Sequence, residues 1–299
     1  MSPSPEARGR GRTIVIFVYL AALVAAWATV RWLPEGLHLL WVAAIADVVA
    51  TLVVFGFSVV HDNSSMYDPY WSVAPLVLAP WLCLQPEAGA AVGLRQALVL
   101  AVIYAWGLRL TFNWLRHWRG MPHEDWRYVD LRRQTGRAYW LVSLLGIHLF
   151  PTFMVFAGCL CLWPALVTGS APLGALDGLA LATCAGAIAI EAVADRQLHE
   201  HRRAGPPPER ILDTGLWGWS RHPNYFGEIA LWWGLCAFGL TAAPGTWWPL
   251  WGPALITVMF VAISIPMIEK RMHARRPAWA EHCRRVSLLV PRPPRRGAR

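Results

Sequence analysis

The residues Ser220-Arg221-His222-Pro223-Asn224-Tyr225-Phe226-Gly227-Glu228 crowd polar and ionisable side chains against the start of an apolar run. Proline is favoured in the first turn of a helix, so Pro223 predicts a helix opening here, with free backbone N–H groups that suit an anion. Arg221 and His222 add charge and donors beside that opening, and Asn224, Tyr225 and Glu228 lie on its first turns. The residues also fit a simple tight turn into the helix. That reading leaves Glu228, one turn inside the apolar run, unexplained. His222 has no histidine one turn on, so the spacing of a zinc-binding helix is missing.

Three further clusters carry chemistry. Arg109, Asn113 and Arg116 fall on one helical face; with Arg119 and Arg127 they suit phosphate groups, which the guanidinium fork matches. Glu124 and Asp125, in the same stretch, fit either of two roles, accepting ribose hydroxyls or neutralising the arginines. Glu191, Asp195, His199 and Arg202 follow at spacings of four, four and three, making one polar helix face. A solvated helix end accounts for His199 and Arg202, but poorly for the deeper Glu191. Glu269, Lys270 and Arg271 close the last apolar run, with Glu269 the expected functional member. Residues 279–291 read as a surface anchor.

The elements that position these clusters follow from composition. The chain of 299 residues is 56% hydrophobic and 15% charged, where a soluble domain averages about 25% charged. An all-α polytopic membrane bundle is expected. Eight spans are read at 13–33, 37–60, 72–84, 90–115, 138–162, 173–194, 224–240 and 247–268; a crossing needs roughly 20 residues. The third is short and broken by Pro75 and Pro80. The first is too long for a secretory signal core. With a cytoplasmic N-terminus, segments 1–12, 116–137, 196–221 and 269–299 hold 24 of the 27 basic residues. This positive-inside bias predicts that both termini and all four clusters face the cytoplasm. It also explains the net charge of +9 without nucleic acid. Residues 1–12 read as a disordered basic tail and 292–299 as a second basic tail, around one membrane domain, 13–291. The six cysteines show neither zinc nor disulfide spacing, and no metal is expected.

A charge at the centre of a span costs roughly 2.5 to 3.5 kcal/mol on insertion scales. Asp47, Arg109, Glu191 and Glu228 therefore each need a reason. An Asp47–Arg109 pair between helices is one solution; a polar cavity open to the cytoplasm is the other. Polar residues gathering at the same ends of several spans favour the cavity.

Taken together, SRHPNYFGE (220–228), WGLRLTFNWLRHWRGMPHEDWRY (106–128), EAVAD (191–195) and YDPYWSVAP (67–75) resemble the bacterial DUF1295 branch of the steroid 5α-reductase superfamily. The resemblance covers roughly 67–291, with its 5α-reductase-like half at about 106–291. It implies a multi-helix membrane enzyme, in the bacterial inner membrane, that binds NADPH from the cytoplasm and reduces an enone carbon–carbon double bond. It also implies that Asp195, Arg202, Asn224 and Glu228 line the dinucleotide pocket. Glu191 stands where 5α-reductases have a cofactor-contacting asparagine, and Arg109, Arg119 and the segment from Glu269 to Arg271 join by looser alignment. The chain departs from that family in two places. The glutamine–glutamate pair supporting the steroid carbonyl is absent from 37–60, and the substrate tyrosine aligns near Trp106. SRHPNYFGE is also similar to the RHPxYxG run of isoprenylcysteine carboxyl methyltransferases.

Three functions remain. For a reductase of a lipophilic, steroid- or isoprenoid-like enone, hydride delivery builds charge on oxygen, so the site needs a donor there and a proton for carbon. Tyr67, Asp68 and Asp47 are the catalytic candidates, although Tyr67 and Asp68 also fit a loop closure. An S-adenosylmethionine-dependent methyltransferase explains 221–228 equally well and the arginines less well. A transporter or lipid-binding protein fits the interrupted helices but not the one-sided polar clusters.

Overall fold

The computed structural model describes residues 5–207 and 210–294, with the side chains of Pro5, Ala7 and Arg8 outside the description. The fold is helical throughout: α1 (Pro5–Trp32), α2 (Leu39–Val60), α3 (Tyr70–Cys83), α4 (Gly93–His117), α5 (Trp126–Thr135), α6 (Tyr139–Val142), α7 (Phe150–Cys159), α8 (Ala175–Arg203), α9 (Pro223–Ala242), α10 (Trp251–Met259), α11 (Ile265–Arg275) and α12 (Trp279–Arg285). Among the described residues six helices are long and apolar enough to cross a membrane: Gly9–Trp32, Leu39–Val60, Gly93–His117, Trp126–Thr168, Ala175–Arg203 and Trp248–Arg275. Each of the eight apolar stretches is helical. Two of them fall outside those six: α3 has 14 residues with both prolines inside it, and α9 has 20. The chain is thus a multi-pass membrane protein.

One local expectation is corrected. The N-terminal tail is helical from Pro5 onward and continuous with the first span; residues 1–4 and 295–299 lie outside the described residues. The basic stretch after α4 contains a helix of its own, α5. Asp125 caps it, its carboxylate accepting from the Arg127 N–H at 2.9 Å.

The chain divides into two compact units, 1–81 with 106–156, and 82–105 with 157–299. In the first unit Val15, Val18 and Ala22 recur at helical spacing along α1 and meet Ala50 and Val54 of α2, with Met66, Tyr67, Tyr70 and Trp118 closing the cluster. The opposite face of α1 exposes Phe17, Leu20, Val24 and Trp27, as a lipid-facing surface does. Lipid gives no hydrophobic drive to bring helices together, so small and hydrogen-bonding residues must do it. Thr51, Ser58, Ser64, Ser72, Ser143, His148 and Thr152 are accordingly buried here.

The second unit is built on the pairing of α8 with α9. A Cβ on Gly227 would lie 2.6 Å from the Glu191 side chain and 2.9 Å from the Ala187 carbonyl, and one on Gly234 2.5 Å from Cys184 Sγ. These glycines, seven apart, let α9 lie against the Ala180, Cys184, Ala187 and Glu191 stripe of α8. Farther along, Arg95 is completely buried and holds Asp177 through Nε at 2.7 Å and Nη2 at 3.1 Å. Its remaining donors reach the carbonyls of Ala171 and Pro172. Asp177 also accepts from the Gly174 N–H and the Thr241 hydroxyl.

Candidate functional site

The three catalytic candidates all lie in the first unit, around a pair of tyrosines. Tyr67 and Tyr70 stack at 5.0 Å. The Tyr70 hydroxyl donates to Asp47 Oδ1 at 2.7 Å. A tyrosine at the start of α3 is thereby bonded to a carboxylate in the middle of α2. Tyr70 was missed from sequence because it sits in an aromatic run (YDPYW) that gives no sign of which ring turns inward.

Tyr67 differs. Its hydroxyl is 2.7 Å from Thr152 Oγ1, which is also 2.8 Å from Thr51 Oγ1 and itself donates to the His148 carbonyl at 2.8 Å. With Thr152 donating to that carbonyl, its oxygen is the acceptor for both neighbours. The Tyr67 proton is therefore held inside the core. Burial also pushes the Tyr67 hydroxyl well above its ordinary pKa.

Asp68 accepts from the Tyr128 hydroxyl at 2.6 Å and lies 4.0 Å from the Arg127 guanidinium. Burial raises its carboxyl to about 6 despite that arginine. Arg127 in turn pairs with Asp125 at 2.7 Å. Glu124 accepts from the Ser64 N–H at 2.8 Å and the Tyr139 hydroxyl at 3.1 Å. Both acids thus have partners within the chain, and Asp125 caps α5. Asn113 and Arg109 are half-buried on α4, while Arg116 in its last turn and Arg119 beyond its end are exposed.

The second unit gathers the α9 entrance. Pro223 is the first helical residue and His222 precedes it, as expected. Glu269 is the hub: the Arg221 guanidinium ion-pairs with it, His222 Nε2 lies 2.8 Å from Oε1, and the Trp279 indole donates to Oε2 at 3.1 Å. Arg221 Nη1 is also 2.7 Å from Cys283 Sγ. Its Nε is buried with no hydrogen-bond partner. The His222 and Tyr225 rings stack at 5.6 Å. Behind them the chain end folds back, with the Arg221 N–H donating to the Ser287 carbonyl at 2.9 Å and the Ser220 hydroxyl to the Leu289 carbonyl at 2.7 Å. Residues 279–291, read as a surface anchor, therefore also cover the segment that opens α9.

Glu228 is buried and accepts from the Trp232 indole at 2.9 Å, one turn on. Glu191 is buried against Gly227. The polar face of α8 then runs outward through half-buried Asp195 and His199 to exposed Arg202, with Asn224 and Arg271 half-buried. Sequence reasoning missed Trp279, His273 and Cys283. Only the spacing of His273 from Glu269, one helical turn, was available to suggest one of these side chains as its neighbour.

Residues 54–286 match a family model described as "Protein of unknown function (DUF1295)". Among curated proteins, "Uncharacterized protein C594.04c" of Schizosaccharomyces pombe is 27% identical over 215 residues, covering 64% of this chain and 62% of that protein. The chain thus spans less than two thirds of that relative's length. No solved structure matches.

Proposed function

Because the chain belongs to the DUF1295 family, we propose that it is a membrane-embedded, NADPH-dependent reductase of the carbon–carbon double bond of a lipophilic enone, steroid- or isoprenoid-like. The observation that carries this reading is the Tyr70–Asp47 hydrogen bond of 2.7 Å. Enone reduction places negative charge on the carbonyl oxygen, and on substrate binding the Tyr70 hydroxyl would turn from Asp47 Oδ1 to donate to that oxygen. Tyr70 is buried in the core as Tyr67 is, but its hydroxyl is bonded to Asp47, which is half-buried on its helix, whereas the Tyr67 hydroxyl is bonded only within the core. Tyr70 thus replaces Tyr67 as the preferred acid, with Asp47 holding it.

The second unit's donor set fits a phosphate-bearing cofactor. Arg221 keeps a buried Nε–H without an acceptor, and the start of α9 adds the N–H groups of a helix terminus. Arg202, Asn224, Asp195 and Arg221 would hold the dinucleotide, with Glu191 and Glu228 behind them. When bound, NADPH supplies the hydride. The basic segments orient this side to the cytoplasm with both termini, in an inner membrane crossed eight times.

One observation favours an S-adenosylmethionine-dependent methyltransferase instead. Arg221 Nη1 and His222 are both engaged by Glu269, which reduces the charge offered to phosphate. Calorimetric titration of the purified chain with each cofactor separates the two. NADPH binding, enone-dependent NADPH oxidation, and loss of turnover without loss of binding in Tyr70→Phe are expected. Binding of S-adenosylmethionine with no NADPH binding overturns the reductase reading.

A further inference from the structure

Glu269 and His273 lie one turn apart on α11, and Cys283 approaches them from α12. Cys283 Sγ is 3.6 Å from Glu269 Oε2 and 4.0 Å from His273 Nε2, and all three ligand atoms lie within 4.8 Å of one another. Tetrahedral zinc, with bonds of about 2.3 Å to sulfur and about 2.1 Å to nitrogen or oxygen, has ligand–ligand edges of about 3.4–3.6 Å. The sulfur–oxygen edge already has that length. The imidazole needs to approach the sulfur by a few tenths of an ångström and the carboxylate by about 1 Å or more, and it is exposed and so able to move.

A cation already occupies the ground between two of these ligands. Arg221 Nη1 touches Cys283 Sγ at 2.7 Å and pairs with Glu269 Oε2. We propose that Glu269, His273 and Cys283 form a three-ligand site for a divalent metal of borderline softness, zinc above all, and that the Arg221 guanidinium is its displaceable resident cation. One thiolate, one imidazole and one carboxylate suit zinc better than the hard cations, which take oxygen ligands. Outer partners are in place: His222 holds Glu269 Oε1 at 2.8 Å, and the Trp279 indole holds Oε2 at 3.1 Å. Binding breaks the Cys283 S–H bond and forms the metal–sulfur bond, and the proton leaves to solvent, one per metal bound. Exposed His273 provides the way in, and the fourth position stays open to water.

The test uses the full chain in detergent micelles, free of any affinity tag, titrated with Co2+ as spectroscopic probe and then with Zn2+ alone. One Co2+ per chain, a sulfur-to-metal charge-transfer band and its loss on adding Zn2+ are expected. Cys283→Ser removes the band and weakens zinc at least tenfold, and His273→Ala weakens it about tenfold. Arg221→Met, which removes the competing cation, tightens it about tenfold, changes of the order that a metal's surroundings produce. A merely structural cluster gives no such gain on losing its arginine. Absence of the band in both the wild type and Arg221→Met overturns the site, as does zinc affinity unchanged by Cys283→Ser. If Cys283→Ser loses its helical circular dichroism, the exposed His273→Ala decides, and unchanged zinc affinity there also overturns the site. The probes are metals only, so the result is independent of the reductase reading.

Discussion

Two arginine–carboxylate pairs in the second unit have similar chemistry and opposite character. Arg95 and Asp177 are both almost wholly buried, and every direction of the guanidinium meets an acceptor: both carboxylate oxygens and two loop carbonyls. Arg221 and Glu269 are slightly more exposed, at 11% and 15% of their side chains. Here the guanidinium shares its carboxylate with a histidine and an indole, touches a thiol and leaves Nε unmet. A closed network fixes a loop to a helix; an open one keeps donors for something else. Within a span each charge demands an explanation, and the closure of its hydrogen bonds decides which explanation applies.

The largest effect expected from this contrast is on stability. Arg95→Ala leaves Asp177 buried without its cation and should cost about 3–5 kcal/mol, read as a large drop in thermal midpoint in detergent. Arg221→Ala should cost about 1 kcal/mol or less, because water reaches Glu269, while weakening NADPH binding. Equal losses of stability would erase the distinction. The first unit offers the same contrast in its tyrosines. Tyr70→Phe should lower turnover by about 10²-fold, the effect of losing one donor at a developing oxyanion, with cofactor affinity unchanged. Tyr67→Phe should leave turnover within a few-fold and cost about 1 kcal/mol of stability. Should Tyr67→Phe be the inactive variant, the sealed hydroxyl is the catalytic one. Gly227→Ala must push α9 off Glu191 and the Ala187 carbonyl. An overpacking cost of about 1–3 kcal/mol is expected, read as a lower thermal midpoint with the helical signal retained.

The positions of the helices were legible because hydropathy and length determine them. Pro223 at the first position of α9 and the outward polar gradient along α8 were legible for the same reason: each depends on neighbours in sequence. What failed to show were pairings across the chain. Asp47 suggested Arg109 as a partner because both are charged; its observed donor is the neutral Tyr70, whose hydroxyl gives no charge signal in the sequence. The bonds of Glu124 to Ser64 and Tyr139, and the capping of α5 by Asp125, likewise gave no sign in the sequence. Cys283 carried no signal at all. A single cysteine in a basic tail becomes a neighbour of Glu269 only when α12 folds back.

The contrast between closed and open sites extends to pH, through Asp68. Its carboxyl is raised from 3.8 to about 6, first by burial and then by Asp125, with Arg127 and the hydrogen bonds from Tyr128 and Trp114 opposing. A carboxyl that binds its proton more tightly folded than unfolded stabilises the fold below its unfolded pKa. It loses that contribution as pH rises through the folded value. The first unit should therefore lose about 2 kcal/mol between about pH 4 and pH 6 from this group. Asp68→Asn, which keeps the Tyr128 hydroxyl bonded to an amide oxygen, should flatten that part of the profile. Thermal midpoints of the two proteins across this range measure the difference. If the wild type instead gains stability through Asp68 as pH rises, Arg127 controls the carboxylate and Asp68 belongs with the closed pairs, beside Asp177. A loss that disappears in Asp68→Asn places Asp68 with the open ones, a carboxyl able to exchange its proton near neutral pH within reach of Tyr128.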